Sequence, residues 1–257
     1  MDLNDLLFFL GADTPALRYT KLYLERRGQR IAPEPSNDIT HLILSIPSFT
    51  SEGNLSSGGN LKEIIAKLPP DITVIGGNLH SPALLNYSTL DLLKNESYLA
   101  ENAAITAECA LQVAQNNSPV TFKHTTTLIL GWGRIAKCLA KLLASLGSEV
   151  TISARRETDI AMAQALGYQA FPLNRIPPHL KEYRIIFNTI PAMVLPEPLS
   201  CLCQPDCLKI DLASTSGIAG SNVIIARGLP GKMAPETTGH LIAKTILEFS
   251  SHKEVSS

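Results

Sequence analysis

Gly131, Gly133 and Ala136 stand in G-x-G-x-x-A spacing within LILGWGRIAKCLA, residues 128–140, where an apolar run passes into a helical pattern. That turn suits the pyrophosphate of a dinucleotide. Gly131 permits a sharp bend, Gly133 lets the backbone approach the phosphates because it has no Cβ, and Ala136 lets strand and helix pack closely. The first helical N–H groups and the positive helix end then face the anion. Trp132, Arg134 and Ile135 fill the rest of the turn and count among the expected cofactor contacts. The alternative for such a motif is a tight strand-to-helix turn without a ligand. A strand before it, a helix after it and a second strand closing the unit favour the dinucleotide.

The end of that second strand bears on which dinucleotide. An NAD site usually has an Asp or Glu about 20 residues after the glycines, accepting hydrogen bonds from the ribose. Here Ser153-Ala154-Arg155-Arg156 stand there, and a hydroxyl with two guanidinium groups suits the 2′-phosphate of NADP. A solvated surface pair of arginines is the plain alternative. Ligands of open α/β sheets sit beyond the carboxyl ends of strands. Three later strand ends therefore point to the same site: Asn188-Thr189-Ile190-Pro191, Asp211 through Ser214, and Gly228 through Gly231. Asn188, Thr189, Ile190, Pro191, Ser214 and Gly228 are expected near the nicotinamide end. Asp211 is either part of that crevice or a carboxylate that caps a loop.

The elements that must position these residues form two α/β blocks. In the first, Leu6–Leu10, His41–Ile46 and Ile72–Ile75 read as strands, with helices at Pro15–Arg27 and Leu61–Leu68. About three strands are evident, few for a full doubly wound sheet. The loop SFTSEGNLSSGGN separates the second strand from the second helix. Glu101–Ala114, rich in alanine, reads as a linking helix. Thereafter strand and helix alternate more clearly: strands at 127–130, 149–154, 168–171, 185–189, 208–212 and 222–226, and helices at 134–146, 158–166, near 199–203 and at 237–249. The expected fold is α/β with two Rossmann-like lobes, the C-terminal one a doubly wound parallel sheet carrying the glycine turn. The expected domains are an N-terminal lobe over 1–100, a linker helix over 101–118, a dinucleotide domain over 119–234, and a final helix with a frayed polar tail over 235–257.

The 257 residues are 45% hydrophobic and 18% charged, with a formal net charge of −1. That balance offers no positive field to nucleic acid. Asp2 and Asp5 stand where a secretion signal is basic, and no apolar stretch approaches the roughly 18 residues of a membrane span. A soluble, cytoplasmic protein is the expectation. Its five cysteines suit reduced thiols. Cys201, Cys203 and Cys207 lack the spacing and fourth ligand of a zinc site, so no metal is expected.

LILGWGRIAKCLAKLLASLGSEVTISARR, IIFNTIPAMVL, IDLAS and GLPGKMAPETTGHLIA, in this order, resemble the A-subunit family of dipicolinate synthase. LGADTPALRYTKL is similar to the family's opening strand and helix, with Asp13 and Arg18 in matching places. The resemblance implies an NADP-binding oxidoreductase of sporulation that oxidises dihydrodipicolinate, drawn from the lysine branch, to dipicolinate. It also implies an oligomer in which the partner is a flavodoxin-like B subunit. The family's linker-helix pattern of Asn, Thr and Glu falls on Asn102, Thr106 and Glu108. Glu108 becomes the leading general base, with Asp211 and Glu236 behind it, and an exposed helix carboxylate is the plain alternative for Glu108. Ser48, Thr50, Ser51, Asn102, Thr106, Pro230 and the backbone of Gly228–Gly231 become the candidate donors to the substrate carboxylates. Two departures stand out, a shorter segment after the first helix and extra Ser and Gly in the loop at 48–60.

The rival enzymes are a 2-hydroxyacid dehydrogenase and a shikimate-type dehydrogenase. The first lacks its acid–base His here, because Pro235 is followed by Glu236 and His240 lies one helical turn further on. The second lacks its Lys and Asp pair in the first lobe. A non-catalytic NADP-binding regulator needs only the glycine turn and the arginines.

Overall fold

The alternating apolar runs become strands of two all-parallel sheets, and the helical periodicities become the helices packed on them. A computed structural model of the chain describes residues 6–255. Two units divide it, one holding the residues up to Asn102 with those from Pro230 onward, the other Ala103–Leu229.

In the first unit, β1 (Leu7–Leu10), β2 (Arg30–Ala32), β3 (His41–Ile43), β4 (Thr73–Gly76) and β5 (Ser88–Asp91) form a five-stranded parallel sheet in the order β2-β1-β3-β4-β5. The expectation of about three strands is corrected. The two additions are the edges, RIA and STLD, each with only one buried residue. Such edges carry too little apolar periodicity to be read.

Helix α1 (Pro15–Arg26) follows β1. Thr14 caps it by accepting from Leu17 N, and Pro15 begins it with a preset φ. Gly28 ends it at φ +80. A short α2 (Leu61–Ile65) precedes β4, and α3 (Glu96–Asn116) carries the chain into the second unit.

The final helix, α8 (Pro235–Val255), packs on α1. Gly239 lets the two backbones meet: a Cβ there would lie 2.5 Å from Ala16 O, 2.6 Å from Tyr19 Cβ and 2.8 Å from Thr20 N. Thr20 Oγ1 donates to Gly239 O across the same crossing. Because most of the blocking atoms are backbone, Gly239→Ala is expected to cost about 1–3 kcal/mol, read as a lower urea midpoint at unchanged slope. α8 runs past Phe249, where the periodicity predicts its end. Of the expected frayed tail, residues 256–257 lie outside the described residues, as do residues 1–5.

The second unit contains β6 (Thr126–Leu130), α4 (Arg134–Ser145), β7 (Glu149–Ala154), α5 (Glu157–Ala165), β8 (Gln169–Pro172), β9 (Ile185–Asn188), α6 (Glu197–Ser200), β10 (Leu208–Asp211), β11 (Val223–Ile225) and a short α7 (Leu229–Met233). Its six strands run parallel in the order β11-β10-β9-β6-β7-β8. Leu128, Ile129, Leu130, Ile185, Ile186 and Phe187 are buried, as central parallel strands covered on both faces require. α4 buries Ala136, Leu139, Ala140 and Leu143, one i, i+3, i+4, i+7 stripe.

Candidate dinucleotide-binding cleft

From β6 the chain steps outward to β7 and β8, then returns to β9 on the other side of β6. Loops leaving β6 and β9 therefore diverge and leave a crevice above the sheet, the place where such folds bind ligands. A cleft of about 500 Å³ lies there, lined by Gly131, Trp132, Gly133, Arg155, Arg156, Thr189, Ile190 and Pro191 among others. These are residues that the sequence assigns to one site, brought from three separate strand ends.

Gly131 makes the bend at φ +103, with its N–H donating to Ser153 O. A Cβ on Gly131 would lie 2.5 Å from Thr189 Oγ1, whereas one on Gly133 would meet nothing within 4 Å. Gly131 is thus needed for the fold of the turn. Gly133 is needed only if something else occupies the open space. No side chain caps α4 at Gly133, so its first N–H groups are available to an anion. Trp132 is buried, yet its Nε1 has no hydrogen-bond partner. Its ring meets Tyr168 edge-on at 5.7 Å. An open cradle at a glycine, an uncapped helix and an orphaned donor fit a phosphate-bearing ligand such as a dinucleotide.

Below the cleft lies a buried polar cluster. Asn188 Nδ2 donates to Asp211 Oδ1 at 2.8 Å and to Ile190 O at 3.0 Å, and its Oδ1 accepts from Ile190 N at 3.0 Å. Asp211 Oδ1 also accepts from Ala213 N, and its Oδ2 accepts from Gly217 N at 2.7 Å and Ile218 N at 3.3 Å. Both side chains are fully buried. Two expectations change accordingly. Asn188 does not line the cleft; it shapes the Thr189–Ala192 loop that does. Asp211 is the loop-capping carboxylate, not a proton acceptor, because four donors fill its lone pairs and nothing exposes it.

Ser153 is corrected for a similar reason. It is buried, and its hydroxyl donates to Phe171 O of β8 at 3.1 Å rather than facing a ligand. Arg155 and Arg156 are both exposed at the cleft wall. Arg134 is exposed and Ile135 half-buried on α4, and neither lines the cleft. Ser214 is exposed in the loop after β10, and Gly228 turns at φ +64 after β11.

Glu108 is exposed on α3, with Thr106 buried and Asn102 half-buried on the same helix. Ser48, expected to meet substrate, is corrected: it is fully buried, donating to Ser45 O and accepting from Gly77 N. Thr50 and Ser51 are exposed on a tight turn closed by Thr50 N to Asn54 O. Pro230 is buried within α7 and so offers no face to a ligand. Glu236, in the first turn of α8, lines a groove with Tyr23 and His240 of the first unit, where the His240 ring packs on Tyr23 at 4.2 Å.

Two residues were missed in the sequence. Arg227 donates to Ala213 O and Ser216 Oγ, tying the loop after β10 to the end of β11. Its place just before Gly228 was the available signal. Asp159 lines the cleft from α5, three residues after Arg156, a spacing that pairs side chains on a helix.

Among the cysteines, Cys201 is exposed, Cys203 half-buried and Cys207 buried. A hydrogen bond from the Cys207 thiol, helped by Lys209, holds the Cys203 thiol down at about 7. Cys203 is therefore expected to alkylate with iodoacetamide half-maximally near neutral pH, and Cys207 only on unfolding, as peptide mapping would show.

No protein-family model matches the chain. The chain is 27% identical to the A subunit of dipicolinate synthase from Bacillus subtilis over 231 residues, which is 82% of this chain and 78% of that protein. Two solved structures of dipicolinate synthase A chains superpose on it at TM-score 0.81. The one from Bacillus halodurans is 20% identical, with 96% of this chain and 98% of that chain covered. The one from Bacillus subtilis is 21% identical, with 100% and 99% covered.

The chain resembles the A subunit of dipicolinate synthase.

The similarity holds along the whole chain in structure and along most of it in sequence. The same fold occurs more widely. L-alanine dehydrogenase superposes at TM-score 0.64 with 14% identity, over 90% of this chain and 76% of that chain. Both parallel sheets and their helices are thus the Rossmann-like α/β architecture of dehydrogenases.

Proposed function

We propose that this chain is an NADP-binding dehydrogenase subunit that oxidises dihydrodipicolinate to dipicolinate, in the manner implied by its resemblance to dipicolinate synthase. The observation that supports it most is the cleft at the switch between β6 and β9, which gathers the glycine turn, two arginines and the Thr189–Pro191 loop. In this reading the backbone from Gly131 to Gly133 and the uncapped start of α4 hold the pyrophosphate. Arg155 and Arg156 receive the 2′-phosphate. Thr189, Ile190 and Pro191, held in place by Asn188 and Asp211, form the wall for the nicotinamide.

NADP supplies the hydride acceptor when bound. The chain's own part is to orient the ring and to take a ring proton, since aromatisation drives much of the reaction. Glu108, exposed on α3, is the proposed proton acceptor, and Asn102, Thr106, Thr50 and Ser51 remain proposed carboxylate partners. A flavodoxin-like B subunit is the proposed partner, and the cytoplasm the proposed compartment. Among the described residues no helix is long and apolar enough to cross a membrane.

The test is NADPH formation, followed by absorbance, with dihydrodipicolinate in the presence and absence of the B subunit. Turnover that Glu108→Gln abolishes is the expected result. Tight NADP binding without turnover under either condition would leave a regulatory dinucleotide-binding protein. Turnover of a 2-hydroxyacid instead would place the chain with that class of dehydrogenase.

A further inference from the structure

An acid is absent from the end of β7, but the fold brings one to the same wall from the next helix. Asp159, in the first turn of α5, lines the cleft beside Arg155 and Arg156. Its two oxygens accept from Arg156 Nε at 2.8 Å and Arg156 Nη2 at 2.9 Å. The Asp159 side chain is 19% exposed and that of Arg156 70%, so the carboxylate lies inward and the guanidinium outward.

This pair alters the electrostatics that two adjacent arginines suggest. The bidentate grip uses Nε and one hydrogen of Nη2, leaving Nη1 and the other Nη2 hydrogen for a ligand. Seen from a few ångströms away, Arg156 and Asp159 cancel. Arg155, which has no hydrogen-bond or ion-pair partner among the described residues, is then the net charge of this wall. The start of α5 does not reverse the balance. No side chain caps it, and its positive end already has Glu157 and Asp159 in the first turn. A phosphate arriving here must approach a carboxylate that a ribose hydroxyl would instead use as an acceptor.

We propose that Asp159 is a specificity-determining residue: paired with Arg156 it forms a neutral clamp that accepts the ribose of NAD through the carboxylate and the 2′-phosphate of NADP through the guanidinium, leaving Arg155 alone to set the preference for NADP. The inference rests on the reading of this cleft as a dinucleotide site and deepens it. The protein is thereby able to use both dinucleotides, with NADP favoured by one cation rather than two. With the guanidinium exposed to solvent the ion pair is weak, so Arg156 can swing aside for either ligand.

The experiment measures dissociation constants of NADP+ and NAD+ by calorimetry for the wild-type chain and for Asp159→Asn, Arg156→Ala and the double variant. Asp159→Asn is expected to tighten NADP+ about tenfold, the scale of one like charge removed at short range, and to leave NAD+ equal or weaker. Arg156→Ala uncovers the carboxylate and is expected to weaken NADP+ at least about tenfold while NAD+ holds or tightens. In the double variant the NADP+/NAD+ ratio is expected to lie between those of the two single variants. Because Arg156 is exposed, the melting temperature of Arg156→Ala should stay near wild type, and that variant carries the test independently of Asp159→Asn.

An NADP+/NAD+ ratio unchanged by Asp159→Asn, or NADP+ weakened by it, would overturn the inference, since the carboxylate would then be inert or merely orient Arg156. Equal loss of both dinucleotides in Arg156→Ala would overturn it as well. Wild-type protein binding neither dinucleotide would overturn the cofactor reading itself, a result distinct from an unchanged ratio in a chain that binds both.

Discussion

Replacing Asp211 with alanine is expected to destabilise the protein by about 3–5 kcal/mol, because it removes the acceptor of several buried donors at once. Asn188 Nδ2 and the N–H groups of Ala213, Gly217 and Ile218 all end on this one carboxylate. None can turn to water, since Asp211, Asn188, Ala213, Gly217 and Ile218 are buried. Denaturant unfolding monitored by far-UV circular dichroism should show the midpoint fall with little change in slope. Asp211→Asn keeps one acceptor and should cost roughly half as much. A catalytic Asp211 would give the opposite pattern, with Asp211→Asn near wild type in stability and lacking turnover. A variant of that kind would remove the structural role assigned here. Loss of the Asn188–Asp211 contact also frees the Thr189–Ala192 loop, so dinucleotide affinity should fall with stability.

Gly131→Ala is expected to have the second large effect, about 3 kcal/mol of stability together with at least about a tenfold loss of dinucleotide affinity. Two costs combine. At φ +103 an L side chain is strained, and the new Cβ would lie 2.5 Å from Thr189 Oγ1. Thr189 cannot yield freely, because its hydroxyl donates to Leu130 O and its N–H to the same carbonyl. Gly133→Ala is the control. Nothing lies within 4 Å of its Cβ, so stability should change by about 1 kcal/mol or less while affinity falls, the methyl entering space that a ligand would fill. Calorimetric binding and thermal melting on the two variants separate the roles. Equal stability losses at both positions would contradict the assignment of Gly131 to the fold and Gly133 to the ligand.

Much of the second unit was legible because its central strands carry a signal that needs no partner. Ile185–Phe187 and Leu128–Leu130 are unbroken apolar runs, as strands buried on both faces must be. The α4 stripe follows from period alone. The first unit was less legible. Its edge strands β2 and β5 are short and mostly solvated, and their register comes from the neighbouring strand, a non-local partner that periodicity does not see.

The candidate site divides along the same line. The glycine spacing, the arginines and the strand ends are local features, and the fold assembles Gly131, Gly133, Arg155, Arg156 and Thr189–Pro191 into one cleft. Whether a polar side chain at a strand end faces a ligand or the interior is decided by what stands opposite. Ser153 turned to Phe171 O, Ser48 to Ser45 O and Gly77 N, and Asn188 to Asp211, each because an unsatisfied backbone or side-chain group lay within reach across a strand or loop.

By itself the sequence determined that the chain is α/β, that a glycine turn leads into α4, and that cationic side chains stand at the end of β7. These depend on neighbours along the chain. The tertiary structure alone decided that Asp211 is bound by loops rather than free for catalysis, and that Ser153 turns to Phe171 O of β8 instead of the cleft. Those outcomes are set by atoms brought together from distant or differently folded segments, and hydrogen-bond satisfaction in a buried space is a property of the assembled fold.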